Sequence, residues 1–271
     1  SFKYENKPKL VNVDADRVLL AEINDEKSLE NLVHLYKVGK KYEDRREAIE
    51  GLTGQQTNEM AFKTLEAALK DDYYGLRIMA LENIDLVNND EKKAVKTIEN
   101  MAVNDEKTLV KAKAIDKLAE YQGDAYIDLY KSSLASASSA VRISALNALF
   151  WEDKEAALQY AKSIENELEK KSLKEALIPI YIMDKTESEQ SFVAGNLIEG
   201  MFFNPDRESA NLYKDGFQWT AYSSNEETTQ NLVDSLVNLG EQFNVYGASK
   251  LAKQVLQQIL AVKTESDYDN K

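Results

Sequence analysis

Few side chains in this sequence could do chemistry, and its single histidine is the first of them. His34 follows Glu30 by four residues, so on a helix the two side chains would share a face and offer a metal ion two ligands. A zinc site requires three or four ligands, and the helical zinc-protease motif requires a second histidine. We therefore expect His34 to be a structural residue, partly buried beside Leu32 and Leu35.

Other catalytic patterns are also incomplete. Glu165 and Glu169 have helical spacing, but nothing around them predicts the dry environment that raises a carboxyl pKa for acid–base catalysis, so we expect solvated side chains. Residues 51–54 lack the lysine and the preceding strand of a phosphate-binding loop. The absence of cysteine excludes disulfides, thiolate nucleophiles and cysteine-ligated zinc. The sequence predicts no catalytic residue, metal ligand or cofactor in this chain.

Aromatic residues are concentrated between residues 192 and 222, where two interpretations compete. Core packing is the favoured one. The alternative is a surface that binds a peptide or a partner protein, because accessible aromatic rings dominate recognition energetics. The residues that would form this surface are Phe202, Phe203, Trp219 and Tyr222.

A recurring pattern predicts the helices that position these side chains. It consists of a basic residue, two spacers, alanine, an aliphatic residue, two spacers and another aliphatic residue. Four copies follow one another at 32, 34 and 31 residues, and a fifth begins 31 residues later with Leu173 instead of the base. The bases and alanines are Arg45 and Ala48, Arg77 and Ala80, Lys111 and Ala114, Arg142 and Ala145, and, in the fifth copy, Ala176 alone. Such a period is typical of stacked helix pairs.

The residue types in this repeat have separate physical roles. Alanine lets neighbouring helix backbones approach closely, and the aliphatic residues fill the interface between successive pairs. The base falls near the start of the second helix, where it could bind a carboxylate of the preceding connection or free carbonyls of the preceding helix. The four bases would then form a ladder along the stack. The alternative is that they lie exposed on solvated faces.

Helical periodicity continues to the end of the chain. Pro179 lies inside one predicted helix, which it should kink or shorten. We expect an all-α chain in which residues 24–271 form an α-α superhelix of about seven helix pairs.

Residues 1–23 have a different pattern. Residues 9–14 alternate polar and apolar, and an apolar run covers residues 18–23, which together predict one or two β-strands with a turn at residues 14–16. A lone hairpin is marginal in water, so these strands would either lie against the helices or form the edge of a sheet in a missing β-sandwich domain. We favour the missing domain and expect this chain to be a piece of a longer protein.

The composition narrows the classes of partner. A net charge of −13 repels a phosphate backbone, and no basic stripe offsets it, so we expect no nucleic-acid binding. No apolar run approaches the length of about 18 residues that suggests a membrane span. We expect a soluble monomer without membrane contact, and both cytoplasm and periplasm remain open as its compartment.

The repeat resembles HEAT and armadillo repeats, although the usual HEAT and armadillo period of about 40 to 47 residues is longer. A second resemblance involves residues 11–22, which lead into Asp44-Arg45-Arg46-Glu47-Ala48-Ile49. This region resembles the junction between the β-sandwich and the C-terminal helical domain of bacterial M1 zinc aminopeptidases of the aminopeptidase N type. The resemblance is clearest over residues 1–52.

The aminopeptidase resemblance implies a non-catalytic C-terminal domain that caps the active site and shapes peptide access. Zinc and its His-Glu-x-x-His motif would belong to the parent's catalytic domain, which this chain would contact. No family site residue transfers, since residues 200–204 match the family's Gly-x-Met-Glu-Asn segment only in composition. The alternative function is a free-standing HEAT-like scaffold that binds a protein or peptide on its concave face.

Overall fold

α-Helices dominate the structure, and no strand occurs in the part of the chain that it describes. The computed structural model describes residues 8–16, 18, 20, 25–87, 92–165, 171–203, 207–244 and 247–265. The helices are α1 (Leu29–Val38), α2 (Tyr42–Thr53), α3 (Glu59–Ala68), α4 (Tyr74–Asn83), α5 (Lys92–Asn104), α6 (Thr108–Gln122), α7 (Ile127–Ser133), α8 (Ser139–Glu152), α9 (Lys154–Ile164), α10 (Lys171–Asp184), α11 (Gln190–Phe203), α12 (Arg207–Ala221), α13 (Glu226–Gln242) and α14 (Ala248–Glu265). The chain divides into two compact units, residues 1–154 and 155–271.

Short polar side chains define where many helices begin. Ser28, Asn58 and Asn225 cap α1, α3 and α13 by accepting a hydrogen bond from a backbone N–H of the first turn. A side-chain turn precedes several other helix starts. Its first residue lies three positions before the helix, and the side-chain oxygen of this residue accepts a hydrogen bond from the backbone N–H of the residue directly before the helix. Its members are Asp71 before α4, Asp105 before α6, Ser136 before α8 and Ser223 before α13.

In the first unit, successive helices form hairpins that stack in chain order. The hairpins pair α1 with α2, α3 with α4, α5 with α6 and α7 with α8. Each second helix also packs on the next second helix, so that α2, α4, α6 and α8 form a continuous layer. Each repeat therefore buries its apolar face against its neighbours, as in helical-repeat proteins.

The alanines of the repeat lie inside this layer. Ala48, Ala80, Ala114 and Ala145 are each 0% exposed, and so is the aliphatic residue that follows each of them. A side chain as small as alanine allows neighbouring helices to approach closely at these points. In the second unit, Ala176 is only half-buried on α10, although the adjacent Leu177 is 0% exposed.

The second unit is organised around α11 and α13, which pack directly on each other. α12 contacts α10 and α11, and α14 packs on α13. Gly216 gives α12 a close approach to α10, since a Cβ at this position would lie 2.4 Å from Cδ1 of the buried Ile182. α10 runs from Lys171 to Asp184 through Pro179, so the proline does not end the helix. The flanking Ile178 and Ile180 are buried, and this packing holds the helix together across the missing backbone donor.

The β-segment predicted for residues 1–23 is not observed within the described residues. Residues 13–16 form a turn, as predicted, but no strand flanks it in residues 8–16. Backbone carbonyls that a partner strand would bind accept from side chains instead: Lys9 O from Asn31 at 2.6 Å, and Ala15 O from Lys41 at 2.8 Å. Residues 1–7, 17, 19 and 21–24 lie outside the described part. Among the helices described, none is long and apolar enough to cross a membrane.

Candidate partner-binding surface

The arginines of the repeat link successive helix connections. Arg77, in the first turn of α4, donates from Nη1 to the carbonyls of Asp71 and Asp72 in its own connection, at 2.9 and 3.2 Å. Its Nε and Nη2 donate to the two carboxylate oxygens of Asp105 in the next connection, at 2.9 and 2.8 Å. In the preceding copy of the repeat, Arg45 forms a longer ion pair, with Nη2 3.4 Å from Asp71 Oδ1. Each arginine thus joins its own repeat to the following one.

The other two bases of the predicted ladder differ from the arginines. Lys111 donates to the carbonyl of Val103 at 2.8 Å, in the last turn of α5. A free carbonyl at the end of the preceding helix is therefore its acceptor. Arg142 is half-buried at the start of α8.

Asp71 fixes the connection between α3 and α4. Its side chain is buried, Oδ1 accepts from the backbone N–H of Tyr73 at 2.9 Å, and Oδ2 accepts from the hydroxyl of Tyr36 at 3.0 Å. Burial and the Asp71 carboxylate raise the pKa of Tyr36 well above its usual value. Arg77 binds the carbonyls of the same connection, so the backbone of the connection is held by both the Asp71 and the Arg77 side chains. Side chains that follow on this backbone are presented in a fixed position.

Three tyrosine rings lie in a row at this connection. Tyr42 and Tyr73 meet edge to face with ring centroids 5.0 Å apart, and Tyr73 and Tyr74 are tilted at 44° with centroids 5.1 Å apart. The three residues are 37%, 43% and 36% exposed. We call these tyrosines, together with the adjacent Glu43 and Asp72, the tyrosine edge. It is an ordered aromatic surface open to solvent.

Gly75 makes room for the ring of Tyr73. A Cβ at residue 75 would lie 2.7 Å from Cε1 of that ring. Glycine inside a helix costs about 1 kcal/mol relative to alanine, and the close approach of the ring explains its presence in the first turn of α4.

The tyrosine edge carries two acidic side chains that form no ion pair within the described ranges. They are those of Glu43 and Asp72, and both are exposed. Lys41 instead pairs with Asp16 at 2.7 Å and donates to Ala15 O. Lys40 and Lys70, in the same two connections, are also exposed and form no ion pair in the part of the chain that the structure describes, so the tyrosine edge is flanked by charges of both signs.

The sequence interpretation did not identify the tyrosine edge. Tyr42 and Tyr74 occupy the same place in the repeat, three residues before Arg45 and Arg77. This recurrence in the sequence could have indicated that the two tyrosines lie on neighbouring repeats. It fades in the next copies, where threonine and serine take that place.

Part of the surface predicted in the aromatic stretch is exposed in the second unit. Tyr222 is 66% exposed and Trp219 is half-buried. Lys185 Nζ lies 5.3 Å from the Trp219 ring centroid and pairs with Asp215 at 2.6 Å, so a cation of the chain itself already covers this ring. The side chains of two other predicted members lie outside the described part: Phe202 and Phe203.

Glu165 differs from the solvated carboxylate that its sequence context predicts. The hydroxyl of Tyr181 donates to Oε1 at 2.5 Å, and Lys162 Nζ lies 3.0 Å from Oε2. Glu189, 3% exposed, completes the cluster and accepts from Lys162 at 2.6 Å. Glu169, with which helical spacing suggested a pair, lies outside the described residues.

The two carboxyl groups of this cluster have opposite pKa shifts. Burial and then the hydrogen bond with Glu189 raise the pKa of Glu165. Burial opposes the ionisation of Glu189 too, but hydrogen bonds from Glu165 and Lys162 lower its pKa overall. Adjacent carboxyl groups separate in this way because both cannot ionise freely at short distance. The cluster ties α9 and α10 to the turn at residues 187–189, which is a structural role.

His34 lies half-buried on α1, and its neighbours Leu32 and Leu35 are 6% and 1% exposed. It borders an open groove of about 970 Å³ between residues 8–11 and α1. Within the ranges that the structure describes, no three His, Asp or Glu side chains are grouped so that they could hold a metal ion.

Comparison with known proteins identifies a similar fold but assigns the chain to no family. No family model matches the chain, and no curated protein matches it. A similar solved structure is the X-ray structure of YibA from Escherichia coli, with 14% sequence identity and a TM-score of 0.53 over 90% of this chain and 93% of that one. At this identity the likeness concerns the fold alone. It agrees with an all-helical, HEAT-like chain.

Proposed function

We propose that this chain is a helical-repeat binding module that holds a segment of a partner protein against the tyrosine edge. The observation that carries this proposal is the row of three exposed, mutually packed tyrosine rings on the buried Asp71–Arg77 framework. The function is recognition rather than catalysis, and the repeats supply a stiff support for it.

Ordered aromatic rings favour binding for an energetic reason. Tyrosine supplies a large contact area with few rotatable bonds, and tyrosine is enriched among residues that dominate interface energies. Contacts between the rings of Tyr42, Tyr73 and Tyr74 restrict their motion before any partner arrives. Little side-chain entropy then remains to be lost on association.

Site-specific photo-crosslinking tests this function. Benzoylphenylalanine replaces Tyr74 in the full chain, expressed in its source cells, and Lys63, exposed on α3, serves as the control position. We expect one adduct from position 74 that is absent from position 63 and is lost when Tyr73→Ala is added. Circular dichroism establishes that the Tyr73→Ala chain is folded. The same adducts from both positions, or an adduct insensitive to Tyr73→Ala, would contradict the proposal.

The aminopeptidase function remains a prediction from the sequence. It makes the chain the C-terminal domain of an M1 zinc aminopeptidase, in contact with the parent's catalytic domain, and no family model or curated relative supports it. Reading the gene upstream of Ser1 for a His-Glu-x-x-His motif tests it directly. Zinc-dependent hydrolysis of aminoacyl substrates by this chain alone would contradict both functions.

A further inference from the structure

We propose that the contact between Glu165, directly after α9, and Glu189, in the turn before α11, is a proton-dependent latch. It is closed while the two carboxyl groups share one proton, and it loosens when both are ionised. The latch lies in the second unit and goes beyond the proposed binding function, on which it does not depend. Its consequence is a pH-dependent opening of the turn at residues 187–189.

One ammonium group lies between the two carboxyl groups. Lys162 Nζ lies 3.0 Å from Glu165 Oε2 and 2.6 Å from Glu189 Oε1. The Tyr181 hydroxyl donates to Glu165 Oε1 at 2.5 Å, and the Ser188 hydroxyl binds the other acid at 2.8 Å. The two carboxyl groups also form a hydrogen bond with each other. Ionised carboxylates have no hydrogen to donate, so this bond requires one proton on the pair.

The charges of the cluster balance when the pair holds this proton. The side chains of Glu165 and Glu189 are 15% and 4% exposed, and Lys162 is the base that pairs with them among the described residues. The ring of Phe192, which α11 places edge to face against the Tyr181 ring, adds no charge. Without the proton, two carboxylates share one ammonium group largely out of water, where like charges repel strongly.

Loss of the proton weakens the tie between α9 and the turn. Burial and then the hydrogen bond with Glu189 raise the pKa of Glu165, so the proton is retained above the ordinary carboxyl range. As the pH rises through this folded-state pKa, the bond between the carboxyl groups is lost. The tie that remains is the ion pair of Lys162 with Glu189, which contributes less because the lysine side chain is 59% exposed.

The turn beside the latch is a strained connection between two anchored helices. Lys185, at its start, has a φ of 56°, in the left-handed region that residues other than glycine rarely adopt. Its ammonium group pairs with Asp215 of α12 at 2.6 Å instead of with the carboxyl pair. Gln190 donates to the carbonyl of Trp219 at 2.9 Å and so holds the start of α11. Loosening of the latch should therefore open residues 186–189 and leave the helices in place.

Amide hydrogen exchange followed by mass spectrometry tests the latch on the full chain. Protection of residues 186–190, corrected for the intrinsic pH dependence of exchange, should fall several-fold as the pH rises through the folded-state pKa of Glu165. Glu165→Gln should keep the turn protected throughout, because its amide donates to Glu189 at any pH and still accepts from Tyr181. Protection that is independent of pH in the parent chain, or that falls equally in Glu165→Gln, would overturn the proposal.

Glu187→Gln is the matched control, because Glu187 lies exposed in the same turn. It removes the same charge without touching the pair, and it should keep the pH dependence of the parent chain. If Glu187→Gln abolishes that dependence, the net charge of the turn is responsible and the latch is excluded.

Carbon-13 NMR titration tests the shared proton without any substitution. The carboxyl carbons of Glu165 and Glu189 should each respond to two ionisation steps, because interacting groups titrate as a pair. A single, independent step for each carboxyl group at the ordinary carboxyl pKa would show that no proton is shared and would overturn the proposal.

Discussion

The guanidinium of Arg77 binds both carboxylate oxygens of Asp105, 28 residues further along the chain, at 2.9 and 2.8 Å. The two side chains are 10% and 7% exposed, so this ion pair lies largely out of water. It connects the start of α4 to the connection between α5 and α6. One arginine therefore links two consecutive repeats.

Arg77→Ala should lower the free energy of unfolding by about 3–5 kcal/mol, because Asp105 would keep its desolvation cost without its partner. Chemical denaturation followed by circular dichroism measures this change. Arg46→Ala is the matched control: its pair with Glu50 is about half exposed at both ends and should contribute about 0.5 kcal/mol or less. Similar losses in the two variants would contradict the role assigned to Arg77.

Ala80→Leu should destabilise the chain by about 1–3 kcal/mol, since the added carbons have no space between stacked helices. Ala80 is 0% exposed, whereas Ala67 is exposed on α3. Ala67→Leu makes the same chemical change on a solvated face and should leave the melting temperature nearly unchanged. If Ala80→Leu is tolerated as well as Ala67→Leu, the alanines do not set the spacing of the repeats.

Tyr130→Phe and Tyr181→Phe should have opposite effects on stability. The hydroxyl of Tyr130 is buried, with no hydrogen-bond partner among the described residues, so its removal should stabilise the chain by about 1 kcal/mol. The hydroxyl of Tyr181 donates to Glu165, and its removal should cost about 1.5–3 kcal/mol. Urea denaturation of both variants checks the sign. Destabilisation by Tyr130→Phe would mean that its hydroxyl has a partner in solution.

Glu165→Gln should stabilise the chain at neutral pH and lose this effect in acid. The pKa of Glu165 is raised, so its contribution to stability is greatest below its unfolded-state pKa and falls as the pH rises through the folded-state pKa. Glutamine removes that loss and keeps an acceptor for Tyr181. The stability difference from the parent chain, measured by urea denaturation across a pH series, should approach zero below about pH 4.

Glu189→Gln should have the opposite sign. The pKa of Glu189 is lowered, so its contribution is present above the unfolded-state pKa and is lost as the pH falls through the folded-state pKa. The variant should be destabilised at neutral pH and match the parent chain in strong acid. Glu155→Gln, at an exposed position on α9, serves as the control and should show little pH-dependent difference. Equal signs for Glu165→Gln and Glu189→Gln would contradict the opposite shifts.

Gly75→Ala should displace the ring of Tyr73 without unfolding the chain. The ring is the flexible end of a side chain, and alanine is favoured over glycine in a helix by about 1 kcal/mol, so the stability should stay equal or rise. Cross-linking from position 74 and the near-ultraviolet tyrosine signal should both change. Gly54→Ala, where the added carbon meets open space, should change neither.

The sequence correctly predicted the class of fold because its signals are local. Alanine and aliphatic residues recur at helical spacing within single helices, and the polar residues that precede several helices bind backbone N–H groups only two or three residues further along the chain. Of the β-strands predicted for residues 1–23, the one over residues 9–14 is not observed, and most of the other lies outside the described residues. Alternation alone cannot form a strand, and in the described residues the carbonyls of Lys9 and Ala15 accept from the side chains of Asn31 and Lys41 instead.

The residues of the candidate surface were harder to predict from the sequence. Tyr42 and Tyr73 are 31 residues apart, and Glu165 and Glu189 are 24 apart. Each pair meets only after a helix hairpin has folded back and its neighbour has stacked on it. The sequence predicted a binding surface in the aromatic-rich stretch because a high density of aromatic residues can be recognised without knowing the fold.

What the sequence determined by itself is the repeating pattern of side chains that turns one face of each helix inward, since burial of apolar residues follows from their spacing along a helix. What only the tertiary structure decided is the partner of each charge and ring. Arg77 binds Asp105 in the next repeat, Glu165 is half-buried beside Tyr181 and Glu189, and Tyr73 lies between Tyr42 and Tyr74. These contacts depend on the distance and angle between packed helices, which no single helix encodes.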